Sequence, residues 1–127
     1  MRLLPFLLIS VLVAATGCGK SSTDNTPSAK PPAPKEAATQ LQQAFTAANP
    51  EVKSIADSAS EAIRTADYQK AIQSISEIKT RTNITFEQGM AIYNSERALE
   101  AALIARVSAG DPQAKQAYEL LKKSRRN

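Results

Sequence analysis

The chain has 127 residues, with 16 lysines and arginines against 12 aspartates and glutamates, and its formal net charge is +4. It contains no histidine, no tryptophan and one cysteine, which excludes the many enzyme designs that depend on histidine. The mild positive charge does not call for a nucleic-acid partner.

Residues 1–17 have the three-part build of a secretory signal. A basic residue, Arg2, precedes an apolar run from Leu3 to Ala15, and small residues follow directly before Cys18. The run has about 13 residues, whereas a membrane-spanning helix needs roughly 20. We therefore predict a signal peptide over residues 1–17 and no helix that stays in the membrane.

Ala15, Thr16 and Gly17, followed by Cys18, resemble the end of a bacterial lipoprotein signal. The resemblance implies cleavage between Gly17 and Cys18, a diacylglycerol on the Cys18 thiol, and acylation of the new N-terminus by a fatty acid such as palmitate. Two or more acyl chains hold a protein lastingly at a bilayer, so the resemblance implies a lipid-anchored protein of the cell envelope. The family usually carries leucine at the position of Ala15, and an ordinary secretory signal that leaves a free Cys18 thiol stays open.

Gly19, directly after the cysteine, bears on the choice of membrane. In many two-membrane bacteria whose lipoprotein signals resemble this one, an aspartate at that position keeps the protein in the inner membrane. Because a glycine stands here, we expect the outer membrane, facing the periplasm, rather than the inner membrane.

Residues 18–36 are predicted to be a disordered linker that is rich in proline and serine and begins at the lipid-bearing Cys18. From Gly19 to Glu36 there is no aromatic and no large aliphatic side chain, so the segment cannot bury enough apolar surface to offset the entropy cost of ordering. Residues 37–127, which are rich in alanine, form the predicted folded domain.

Apolar residues in residues 37–127 recur at spacings of three and four, which predicts helices, and no alternating pattern indicates a strand. A first apolar group around Leu41 and Phe45 is followed by four helices, each of which begins at a polar capping residue. The predicted fold class is all-α, a small antiparallel bundle of helical hairpins with about four to five helices. The predicted starts are Asn49-Pro50, Asp67-Tyr68, the capping box from Thr85 to Gln88, and Gly110-Asp111-Pro112.

The segment from Ala59 to Ile78 resembles one tetratricopeptide repeat, a pair of antiparallel helices found in protein-binding scaffolds. The resemblance implies closely packed helices and concave grooves between hairpins. The closing proline of the repeat is missing, and a second copy is predicted from Leu99 to Leu121. The residues in the family's places are Ala59, Ala62, Asp67-Tyr68 and Ala71-Ile72.

The long helix after Thr85 carries more apolar residues than one seam needs, so we expect it to contact neighbours on two sides. The three tyrosines lie at core spacing, which argues against stacking on sugars. The apolar residues of the long helix are Phe86, Met90, Ile92, Tyr93, Leu99, Leu103, Ile104 and Val107, and the other tyrosines are Tyr68 and Tyr118.

Glu96 and Glu100 lie one helical turn apart, and two carboxylates at that spacing can share a metal ion or exchange a proton. Metal sites in helical bundles usually add histidine, and this chain has none. The plainer interpretation is a solvated face with weak ion pairs. We therefore predict no catalytic residue, no metal site, no cofactor and no enzymatic activity.

The C-terminal end carries four cations, Lys122, Lys123, Arg125 and Arg126. They could contact anionic lipid head groups or an acidic partner, or they could stabilise the helix dipole and then fray into water.

The sequence as a whole predicts a membrane-anchored lipoprotein whose helical domain binds a protein partner in the cell envelope, in a scaffold or assembly role. One alternative is a structural or stress-related envelope protein without a specific partner, and another is a small factor that acts on the cell wall. No small-molecule substrate is expected.

Overall fold

The computed structural model describes residues 30–126. Within this range the chain forms five α-helices and no β-strand, so the predicted all-α fold is confirmed. The helices are α1 (Pro34–Ala44), α2 (Pro50–Arg64), α3 (Tyr68–Lys79), α4 (Phe86–Ser108) and α5 (Pro112–Ser124).

The helix starts that were predicted from polar residues are confirmed by side-chain caps. The Asn49 side chain accepts a hydrogen bond of 2.9 Å from the Val52 amide at the start of α2. At the start of α4 the Thr85 hydroxyl accepts from the Gln88 amide, and the Gln88 side chain accepts from the Thr85 amide. These bonds satisfy amides that the first helical turn leaves unpaired. Asp67 caps α3 and Asp111 caps α5 in the same way.

Helix α1 begins at Pro34, three residues before the predicted domain boundary at residue 37. Proline suits the first position of a helix because its missing N–H is not needed there and its φ angle is already helical. Assigning Pro34 to an extended, disordered linker was therefore wrong, and the predicted linker of residues 18–36 overlaps the helix at its end. The first buried side chains of α1 are Ala37 and Ala38.

The helices contact one another in a closed ring. Helices α2 and α3 form one hairpin across residues 65–67, and α4 and α5 form a second across residues 109–111. The hairpins meet where α3 packs beside α5, and α1 packs against both α2 and α4. The order of contacts is therefore α1, α2, α3, α5, α4 and back to α1, which leaves each helix supported on two sides.

Helix α1 packs between the two hairpins. It contacts α2, the first helix of one hairpin, and α4, the first helix of the other. The space between these two helices is therefore filled by α1.

Small side chains let the helices approach one another closely. Three isoleucines of α3, Ile72, Ile75 and Ile78, are at most 2% exposed, and each packs into the shared core. The alanines that match the tetratricopeptide pattern are buried beside them: Ala59, Ala62 and Ala71.

The turn between α2 and α3 contains a residue in the left-handed region. Ala66 has a φ angle of +58°, and the following amide, that of Asp67, donates a 2.9 Å hydrogen bond back to the Ala62 carbonyl. This arrangement closes many helices, and glycine usually occupies the left-handed position. An alanine there costs about 1 kcal/mol because its Cβ crowds the following carbonyl oxygen.

Candidate interaction surface

Helix α4 is apolar on two sides. Its inner side carries Ile92, Leu99 and Leu103, which are buried in the core between α1 and α5. This confirms that the long helix contacts two neighbours. Other large apolar residues of α4 are exposed, and these residues form a second face.

The second face is a line of five residues that we name the outer stripe: Phe86, Met90, Tyr93, Arg97 and Ile104. Their spacings of three, four and seven place them on one side of a helix. Phe86 is 82% exposed, Tyr93 45% and Ile104 47%, while Met90 and Arg97 are half-buried. The prediction that Tyr93 belongs to the core was wrong, because its position points away from both neighbouring helices.

Within residues 30–126, helix α4 is held from two sides, and the outer stripe lies on neither of them. On the side of α1, the Gln88 side chain donates to the Ala44 carbonyl at 3.3 Å, and the Asn94 side chain donates to Gln40 at 3.2 Å. On the other side, α5 packs along the helix. No element within residues 30–126 lies over the stripe.

The outer stripe combines aromatic, aliphatic and cationic groups. The Arg97 guanidinium lies 5.8 Å from the centre of the Tyr93 ring, within range of a cation–π interaction. Aromatic side chains, methionine and arginine are the residues enriched in protein–protein interfaces. From Phe86 to Ile104 the stripe extends about 27 Å, since an α-helix rises about 1.5 Å per residue. Exposed apolar side chains along one side of a helix are typical of an interaction site.

Glu96 and Glu100 are held by cations, and Glu96 is buried. The Glu96 carboxylate lies 3.0 Å from the Lys79 Nζ of α3 and 3.9 Å from the Arg125 Nε beyond α5. Arg125 also reaches the Glu100 carboxylate at 2.9 Å and donates to the Glu96 carbonyl at 3.2 Å. The interpretation of a solvated face is therefore wrong for Glu96, which is 8% exposed. These four side chains form the ion-pair cluster.

The ion-pair cluster has a structural role in this geometry. It joins α3, α4 and the end of α5, and its carboxylate oxygens face cations of the chain itself. Within residues 30–126 no group of histidine, cysteine, aspartate or glutamate side chains could hold a metal ion. Removing one partner of a buried ion pair is costly because the other charge is left uncompensated, so the cluster fixes α4 relative to α3 and α5.

The C-terminal cations are partly engaged with the fold. Arg125 belongs to the ion-pair cluster, and Lys122 binds Glu119 at 3.1 Å. Lys122 also lies 5.4 Å from the centre of the Tyr118 ring. The prediction that this end frays into water is therefore wrong for Arg125, which anchors the last turn of α5.

Several open clefts mark the surface of residues 30–126. One, of about 550 Å³, lies between α3 and α5 and is lined by Ile72 and Leu120. A second, of about 440 Å³, lies beside Arg81, whose guanidinium contacts Glu51 at 3.0 Å and Glu77 at 3.1 Å. A third, of about 360 Å³, lies where α3 and α5 begin.

The predicted lipid-attachment residue Cys18 and the cleavage position between Gly17 and Cys18 lie outside the described residues. No helix within residues 30–126 combines the length and the apolar character that crossing a membrane requires.

Comparisons of the chain with protein-family models, with curated proteins and with solved structures give no significant match. Within residues 30–126, the packing of the helices does not account for the exposed apolar residues of the outer stripe.

Proposed function

We propose that the chain is a lipid-anchored protein of the bacterial cell envelope whose helical domain binds a protein partner through the outer stripe of α4. The observation that carries the proposal is the exposure of Phe86, Tyr93 and Ile104 on a helix whose opposite side is fully packed. Exposed aromatic residues contribute little to the stability of a monomer, and burying them against a partner is favourable by roughly 25 cal/mol per Å².

The proposed anchor is the acylated Cys18 thiol, in the outer membrane facing the periplasm. The supporting pattern is an apolar leader of signal-peptide length followed by small residues and the single cysteine of the chain. Helix α1 begins at Pro34, so about 16 residues separate the proposed anchor from the fold, and a flexible chain of that length spans roughly 20 Å. Such a tether keeps the domain near the bilayer and lets it turn to meet a partner.

We propose a binding role and no catalytic role. The carboxylates that came closest to a catalytic arrangement, Glu96 and Glu100, lie in the ion-pair cluster. A scaffold or assembly function suits a folded domain that presents one linear surface near its proposed anchor.

Mass spectrometry of the polypeptide purified from its own host tests the anchor. The expected result is an N-terminal peptide that begins at Cys18 and carries diacylglycerol and an amide-linked fatty acid. A bare cysteine, or a peptide that still contains residues 1–17, would refute the anchor. The Cys18→Ser variant is the matched control and should remain unprocessed and unlipidated.

Photo-crosslinking in intact cells tests the surface. A photoreactive amino acid at Met90, within the outer stripe, is compared with the same group at Glu61, an exposed residue of α2. The expected result is one dominant adduct from position 90 and only background from position 61. Equal, diffuse labelling from both positions would favour an envelope protein without a specific partner.

A further inference from the structure

We propose that the occupant of the outer stripe is a second copy of this chain, with the two α4 helices packed antiparallel across a twofold axis that passes the outer face of α4 at the level of Ser95 along the helix. The inference rests on the proposed function, because it names the partner of the same surface. It predicts a homodimer held by the faces of two helices.

Four of the five residues of the outer stripe are arranged in a self-complementary order, while the fifth, Met90, would lie at the level of Glu100 of the other copy. Phe86 and Ile104 lie equally far from Ser95 along the chain, and so do Tyr93 and Arg97. In an antiparallel pair centred on Ser95, Phe86 of one copy therefore meets Ile104 of the other, and Tyr93 meets Arg97. A twofold interface requires this reciprocity, since each contact between two different residues occurs twice.

The two residues of the proposed central contact already lie beside each other within one copy. The Arg97 guanidinium lies beside the Tyr93 ring of its own helix. In the pair, the same cation reaches the Tyr93 ring of the other copy as well, which places one arginine between two aromatic faces. The ends of the interface remain apolar, with phenylalanine against isoleucine.

The size of the stripe fits a weak dimer that a membrane strengthens. Four partly exposed aromatic side chains, two from each copy, supply on the order of 500 Å², about half of the roughly 1,000 Å² that a specific interface should reach. Two copies tethered to one bilayer meet at a higher effective concentration than free copies do, so a small interface suffices there.

The position of α1 agrees with this tethered arrangement. Helix α1 packs on one flank of α4, where Asn94 contacts Gln40, and α5 packs on the other flank. A twofold axis perpendicular to an antiparallel helix pair puts both α1 helices on the same side of the dimer. Both chains therefore enter the fold from that side, and both proposed anchors can reach the same membrane. A parallel pair would send the two α1 helices to opposite sides.

A bilayer surface is the weaker candidate for the occupant. Helices that lie on membranes carry an excess of lysine and arginine on the polar face. Helix α4 has three glutamates and two arginines in its sequence, and Glu87 is exposed beside the stripe. This charge balance does not attract an anionic lipid surface.

Cysteine pairing in intact cells tests the inference on the full-length chain. Phe86→Cys and Ile104→Cys, co-expressed on distinguishable tags and oxidised briefly, should give a strong mixed disulfide dimer. Phe86→Cys alone should give little, because antiparallel helices hold the two copies of position 86 at opposite ends. The wild-type chain controls for disulfide dimers that form through Cys18. Glu61→Cys controls for disulfide dimers that form by random collision.

A third variant checks the centre of the interface. Adding Arg97→Glu to the cysteine pair should lower the dimer yield roughly tenfold, because two cation–π contacts are lost together. Circular dichroism of the purified variants should show unchanged helix content, since all three positions lie on the outer face of α4.

Three results would overturn the self-pairing. Strong dimers from Phe86→Cys alone would show a parallel arrangement or random contact. Protection of both single cysteines from a water-soluble maleimide, without any dimer, would show burial in a bilayer. If no pair forms while the photoreactive group at Met90 still captures a different protein, self-pairing fails and the proposed protein-binding role stands.

Discussion

Helices α3 and α4 use the same kinds of apolar residue in different ways. In α3 the isoleucines Ile72, Ile75 and Ile78 all face the core. In α4, Ile92 is buried, while Ile104 is 47% exposed on the opposite side. The isoleucines of α3 therefore all serve the fold, whereas α4 serves the fold with one face and presents apolar side chains on the other. Substitutions on α4 should separate stability from binding, and substitutions on α3 should not.

Two adjacent residues of α4 give the strongest test of the difference between its buried and exposed faces. Leu103→Ala opens a cavity at a fully buried position and should lower the free energy of unfolding by about 2–5 kcal/mol. Ile104→Ala should change it by about 0.5 kcal/mol or less, because that side chain is already half exposed. Urea unfolding followed by circular dichroism measures both, and equal losses would show that α4 does not have two distinct faces.

The ion-pair cluster allows a second comparison on the same helix. Glu96→Gln removes the charge that Lys79 and Arg125 share, and we expect a loss of about 1–2 kcal/mol in the free energy of unfolding. Glu100→Gln should cost only a few tenths of a kcal/mol, because Arg125 keeps Glu96 and this pair is more exposed. The same unfolding experiment decides, and a larger cost for Glu100→Gln would contradict the assigned geometry.

The cap of α4 supports both of its faces. Thr85→Ala removes the hydroxyl that accepts from the Gln88 amide and should lower the free energy of unfolding by about 1 kcal/mol. Thr85→Ser keeps a hydroxyl and is the matched control, with an expected change of a few tenths of a kcal/mol. Thermal melts of the two variants check this, and an identical melting temperature would mean that the cap does not hold the helix start.

The smallest effect is expected at Asp57 on α2, a helix with one buried face. The hydrogen bond from Lys53, with help from Gln42 and from the charge of Arg64, lowers the pKa of Asp57 from 3.8, although partial burial acts against them. A carboxylate whose folded pKa is depressed adds stability above its unfolded pKa, and this is lost as the pH falls through the folded value. Because the side chain is 37% exposed, the contribution should be a few tenths of a kcal/mol.

Urea unfolding at pH 7 and near pH 3 measures the contribution of Asp57. The wild-type chain should lose slightly more stability on acidification than the Asp57→Asn variant, which has no carboxylate to protonate. An equal loss in both proteins would show that the bond from Lys53 is too exposed to matter.

The helices could be predicted from the sequence because their signals are local. Asn49, Thr85 and Asp111 bond to amides two or three residues away, so their capping role is visible in the order of residues alone. The start of α1 carries a local signal as well, since proline favours the first helical position, but the prolines before it are equally typical of a linker.

The arrangement of the helices depended on contacts that spacing does not encode. Lys79 and Arg125 bind Glu96 from 17 and 29 residues away, so the burial of that carboxylate was invisible in the helix pattern. The exposure of Tyr93 could not be predicted because α4 carries apolar residues on two sides, and only the positions of α1 and α5 decide which side is covered.

The left-handed alanine between α2 and α3 has a practical consequence. Because Ala66 holds a φ angle of +58°, Ala66→Gly should relieve about 1 kcal/mol of backbone strain. It would supply a sturdier parent chain, in which costly replacements such as Leu103→Ala stay folded long enough to be assayed. In the natural protein, the Cβ of Ala66 prevents this gain in stability.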